Sequence, residues 1–86
     1  MNFGQAIELM KEGKRLQRIG WHKEMFVYYV AGGNYSVQMA AIKQYGDDEN
    51  KVKYNPYLAM KNMDNSISMW VPSLHECLAD DWQVCE

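Results

Sequence analysis

Six consecutive residues, Met25-Phe26-Val27-Tyr28-Tyr29-Val30, are all apolar or aromatic. In an extended chain successive side chains point to opposite faces. A strand built from this run has no solvent face, so something must lie against each side of it. A core helix is expected on one face and a partner or ligand on the other. Only 86 residues are available, enough for a single domain, residues 1–86, because a second core would not fit. Three Trp, six Tyr and seven Met are more large apolar surface than one small core hides. That excess predicts a homo-oligomer.

Charge and cysteine usage exclude several classes. A net charge of −2 with 13% aromatic residues does not describe a disordered chain. The apolar run reaches only Ala31, far short of the roughly 20 residues a membrane helix needs. Met1 leads into an amphipathic segment, so no signal peptide is expected. Two cysteines are too few for a disulfide framework or a four-ligand zinc site, and a reduced, cytoplasmic setting is expected. Residues 1–30 carry five Lys/Arg against three Glu, residues 31–60 three of each sign, and residues 61–86 one Lys against five acids. No basic stripe exists to grip a nucleic acid polymer. A small anion held by two or three cations is compatible with this distribution.

The local pattern predicts an α+β fold, a small antiparallel sheet with an N-terminal helix and a short C-terminal helix packed on one side. Asn2 and Gln5 form a capping box, and Phe3, Ala6, Ile7 and Met10 make an apolar stripe over residues 3–12. Gly13 is placed to end that helix. Strands are predicted at 14–19, 25–30, 35–39, 57–63, 66–71 and 82–85. Gly32-Gly33-Asn34 reads as a turn and 43–55 as an excursion loop or flap. Asp64-Asn65 links a hairpin. In its second strand Ile67, Met69 and Val71 share one face, which leaves Trp70 with Ser66 and Ser68 on the polar one. Ser73 and Glu76 form a second capping box, opening a helix at 74–79 with Leu74, Cys77 and Leu78 as its stripe.

Catalytic signatures are sparse. Ser73, Cys77, Cys85, His22 and His75 lie in no nucleophile-elbow context. No spacing brings His22, His75 and Asp80 together on a metal. Gly32-Gly33 lacks the following helix that a phosphate loop requires. The remaining set is aromatic and cationic: Arg18, Trp21, Lys61 and Trp70. Bases stack on indoles, and Arg forks onto phosphates, so this set suits a nucleotide-like ligand. Structural readings stand beside that one. Trp21 also fits as a lid on the core and Trp70 as an oligomer contact. Arg18 fits as a salt bridge to Asp80 or Asp81. Trp82 reads as core, and Met60, Met63 and Met69 read as core or interface packing.

Taken in order, five segments resemble a known family. They are Phe3-x-x-Ala6-Ile7-x-x-Met10-Lys11-x-Gly13-Lys14, Arg18-Ile19-Gly20-Trp21, Pro56-Tyr57-Leu58-x-Met60-Lys61, Trp70-Val71-Pro72-Ser73 and Leu78-Ala79-Asp80-Asp81-Trp82. Together they resemble the second type of phage Thoeris anti-defence protein over nearly the whole chain. The resemblance implies a sponge rather than an enzyme, one that binds a TIR-derived cyclic ADP-ribose signal such as glycocyclic ADP-ribose and keeps it intact. It implies a homotetramer with pockets between subunits, no cofactor, no membrane partner, and a capacity in some members for cyclic oligonucleotides. Carried over by position, Trp21 stacks on the base or walls the pocket. Arg18 and Lys61 face phosphate, Trp70 and Ser73 complete the site, and Asp80 accepts ribose hydroxyls or orients Arg18. The chain departs from the family at Met69-Trp70-Val71-Pro72, at Glu76 and in the turn Asn62-Met63-Asp64-Asn65. The competing functions are a hydrolase of a cyclic nucleotide, using Asp80 or His22, and a protein-interaction module using exposed aromatics.

Overall fold

Both predicted capping boxes form in the computed structural model, which describes residues 1–85. Asn2 Oδ1 accepts from the Gln5 N–H at 2.8 Å, and Gln5 Oε1 accepts from the Asn2 N–H at 2.9 Å. Helix α1 then runs Phe3–Lys11. It ends in a Schellman motif, with the Lys14 N–H on the Leu9 carbonyl and the Gly13 N–H on the Met10 carbonyl. Gly13 takes φ +95° there, a region that side-chain-bearing residues avoid.

Seven strands follow: β1 Leu16–Arg18, β2 Phe26–Val30, β3 Gly33–Ser36, β4 Lys51–Tyr54, β5 Tyr57–Lys61, β6 Ile67–Met69 and β7 Trp82–Val84. Helix α2, Leu74–Leu78, lies between β6 and β7. Five strands form the main antiparallel sheet in the order β6-β5-β2-β1-β7. The apolar strand β2 is at its centre, as its sequence demands. Leu16 pairs with Val27 on one side and Val84 on the other. Helix α1 crosses this face and packs on β1, β2, β7 and α2. Phe3, Ala6 and Met10 meet Leu16, Val27 and Trp82 in one buried cluster.

The α+β arrangement is as expected, but local expectations need correcting. Gly32-Gly33-Asn34 is not a turn, because Gly33 and Asn34 lie in β3 and pair with Tyr54 and Lys53 of β4. The 43–55 segment is likewise not a loop. It holds the end of a 3-10 helix, Ala40–Tyr45, and all of β4. Its polar side chains hid a two-stranded ribbon that needs no buried face. The strand predicted at 14–19 shortens to three residues, and the one at 66–71 to Ile67–Met69.

The predicted faces of β6 are inverted. The Trp70 N–H donates to the Leu58 carbonyl at 2.8 Å, which sets Trp70 beside Leu58 and against the core. Ile67, Met69 and Val71 are 55, 71 and 80% exposed instead. Leu74 and Leu78 of the α2 stripe are exposed as well. The second face of β2, carrying Phe26 and Tyr28, lies opposite α1 and is half-buried.

The core assignment makes a stability prediction. Leu16→Ala empties a fully buried site and is expected to cost about 2–5 kcal/mol, whereas Ile19→Ala, at a position 63% exposed, stays within about 0.5 kcal/mol. Urea unfolding of the two variants checks the contrast.

Candidate functional site: an indole cluster beside a fixed arginine

Four aromatic rings meet where α1, the β1–β2 connection, the end of β6 and β7 converge. Trp82 is the buried member, 2% exposed. Its indole N–H donates to the Glu76 carbonyl at 3.0 Å, so burial leaves no polar atom unpaired. Phe3, Trp21 and Trp70 surround it with ring centroids at 5.2, 5.3 and 6.0 Å. Trp21 and Trp70 meet edge to face at 6.4 Å, a geometry the aromatic quadrupole favours. Both are only half-buried, so each offers part of its indole surface to solvent.

Trp21 is placed by a tight turn. Gly20 adopts φ +97°, and the Trp21 N–H returns to the Arg18 carbonyl at 3.1 Å. Arg18 is placed by its pairing with Trp82 across β1 and β7. Its guanidinium meets Asp81 through two hydrogen bonds, Nε to Oδ1 at 2.8 Å and the second to Oδ2 at 3.4 Å. This resolves the alternatives left by the sequence for Arg18. Asp81, rather than Asp80, orients it. The hydrogen bond from Arg18 holds the Asp81 carboxyl below its ordinary range, against a smaller opposing effect of desolvation. The same hydrogen bond raises Arg18.

Other predicted site residues are placed differently. The Ser73 hydroxyl caps α2 by accepting from the Glu76 N–H at 3.2 Å. Asp80 is exposed, and its carbonyl accepts from the Met1 ammonium at 3.2 Å. Lys61 does not join the indoles. It pairs in register with Phe26 on the sheet face opposite α1, with Nζ 5.9 Å from the Phe26 ring centroid. It donates to the Glu24 carbonyl at 3.0 Å and lies 3.5 Å from the Glu24 carboxylate. His22 Nδ1 accepts from the Glu24 N–H at 3.1 Å. Among the described residues, no three His, Cys, Asp or Glu side chains gather as a metal site.

Sequence reasoning missed one contributor. Phe3 was read only as helix core, yet it packs on both Trp70 and Trp82. Asp81 was one of two acids offered to Arg18, and the signal that selects it is its position immediately before Trp82, the residue that pairs with Arg18.

This geometry offers flat apolar surface beside a fixed cation. The Thoeris anti-defense 2-like domain model matches residues 1–85. The chain belongs to that family. It is also similar to Thoeris anti-defense 2 of Bacillus phage SP01, with 32% identity over 85 residues, covering 98% of this chain and 93% of the relative. Membership of the Thoeris anti-defense 2-like family supports a phage anti-defence role. In this chain the indole cluster ties both helices and the sheet to one surface.

The ion pair gives a pH dependence with a defined sign. Asp81 titrates below the ordinary 3.8, so the unfolded chain takes up a proton first as pH falls. The pair's contribution is complete above about pH 5 and is lost on descending through the lowered folded value. Asp64, held down mainly by Ser66, shares this direction. Thermal midpoints measured across the acid range should therefore fall less steeply for Asp81→Asn than for the unsubstituted protein.

Proposed function

We propose that this chain is a non-enzymatic sponge that binds a TIR-derived cyclic ADP-ribose signal, glycocyclic ADP-ribose, and withholds it without breaking its bonds. The observation that carries this reading is the pair of half-buried indoles, Trp21 and Trp70, beside the Asp81-held Arg18. Indole surface accepts the adenine ring. Arg18 carries donors beyond those engaged by Asp81 and presents them to the pyrophosphate. Ser73 and Asp80 lie just before and after α2, with free capacity for ribose hydroxyls. The anti-defence role of the family supplies the context in which capturing such a signal has a purpose.

The pocket is completed by other copies of the chain, in a homotetramer. Ile67, Met69, Val71, Leu74 and Leu78 are all more than half exposed in the single chain, and burying them needs a partner. Lys61 lies across the sheet from the indoles, so it reaches phosphate only in a pocket it shares with a second protomer. Sequestration asks for binding alone, and aromatic walls with a few cations provide it.

Calorimetric titration with the TIR-made signal tests the reading. Saturation at a fixed stoichiometry is expected, with Trp21→Ala and Trp70→Ala each weakening binding. Loss of one stacking contact is worth about 1–3 kcal/mol, or about 5- to 150-fold in Kd. Absence of heat with every cyclic ADP-ribose isomer would remove the ligand assignment. For the assembly, Leu74→Asp is expected to shift the sedimentation coefficient to a smaller species while the far-ultraviolet circular dichroism stays unchanged.

A further inference from the structure

The β3–β4 ribbon and the β2–β5 pair share one register. Phe26 faces Lys61, Val30 faces Tyr57, Gly33 faces Tyr54 and Ser36 faces Lys51. Each pair sits at the same offset, so residues 26–36 and 51–61 form a single long hairpin. Its ladder is interrupted at one place, Ala31-Gly32 against Asn55-Pro56. Pro56 has no N–H to donate to a ladder. At Gly32 a Cβ would stand 2.5 Å from the Tyr54 carbonyl oxygen and 3.0 Å from Pro56. The two strands therefore come together at the break without pairing.

Beyond the break the hairpin is a folded arm with its own supports. Val37 is 4% exposed, with Ile42 and Val52 half-buried. The Val37 N–H donates to the Asn50 carbonyl at 2.9 Å. Asp47 Oδ1 accepts from the Glu49 and Lys51 N–H groups, both at 2.9 Å. The arm strands β3 and β4 pack chiefly along each other. Among the described residues, the one side-chain hydrogen bond from the arm toward the body is Tyr35 Oη to the Ala31 carbonyl, long at 3.4 Å. The molecule measures 46 × 27 × 24 Å, as a projecting arm requires.

A cleft of about 400 Å³ lies at the break. Val30 and Tyr57 line it from the sheet, Tyr35 and Tyr54 from the arm, and Ala31 and Asn55 from the break itself. One wall belongs to the sheet and the other to the arm, with the unpaired residues 31–32 and 55–56 between them. We infer that the arm is a hinged lid, swinging as one unit about 31–32 and 55–56 to open and close this tyrosine cleft. Folded segments joined by a few unpaired residues move in this way. The inference is independent of the indole site, which lies on other elements.

Energy transfer tests it directly. Trp21, Trp70 and Trp82 are all in the body and act as donors. A genetically encoded fluorescent amino acid that accepts tryptophan emission replaces Gln44 at the arm tip, or His75 on α2 as a fixed reference. Labelled chains carry Leu74→Asp, the substitution chosen above to reduce assembly, and are measured at high dilution so that transfer within one chain dominates. Distances to residue 44 are expected to spread more widely than those to residue 75, and Pro56→Thr, which restores an N–H at the break, should narrow the spread. Amide exchange is read in parallel, with Val37 and Asn50 expected to stay protected while Gly32 exchanges quickly. Equal, narrow distributions at both labels would overturn the hinge. Exchange of Val37 and Asn50 as fast as Gly32 would overturn it too, since the arm would then be unfolding rather than swinging.

Discussion

The buried indole of Trp82 is the contact on which the structure depends. It sits under Phe3 of α1 and between Trp21 and Trp70. Its N–H reaches the Glu76 carbonyl in α2, and its strand pairs with β1. One side chain thus joins both helices, the sheet and two loops. A domain this short has few alternatives, because a small core leaves little apolar burial to set against chain entropy. Large aromatic rings supply that burial with few rotatable bonds. The same cluster that closes the core also brings two indoles to the surface, so folding and the proposed recognition draw on the same residues.

That dual use explains the surface of the molecule. With the core finished by Trp82, the outer row of β6 and the stripe of α2 are left without cover. The face of β2 that carries Phe26 and Tyr28 is half-buried, and there the Arg15 guanidinium stands 5.2 Å from the Phe26 ring centroid. Such surface favours association over a solitary existence in water. The proposed pocket, walled by indoles and finished by neighbouring chains, would need no general base to hold a ligand.

Much of this was legible in the sequence. The two capping boxes fix their helices locally, so Asn2/Gln5 and Ser73/Glu76 announced them without tertiary information. Strand β2 was legible because six apolar residues in a row leave no other option. Trp70 was misread because its strand carries apolar residues on both faces. Alternation reveals the two faces of a strand but not which one turns inward, and here the larger ring won the core. Strand β3 was anticipated in part, by the strand predicted at 35–39, whereas its partner β4 escaped notice because a projecting hairpin buries little and so leaves a weak hydrophobic pattern. For Arg18 the sequence offered two adjacent acids, and only the register of β1 with β7 chooses Asp81. Lys61 was grouped with the indoles by residue type, whereas its alternation with Met60 sends it to the opposite face.

The central claim is capture without chemistry, and recovery of the ligand tests it most directly. Protein is mixed with the TIR-made cyclic ADP-ribose signal, freed of unbound ligand and heat-denatured, and the released small molecules are identified by mass spectrometry. The account predicts that the intact ring is recovered in proportion to the protein. Recovery of an opened or hydrolysed product, or of no nucleotide at all, would contradict it.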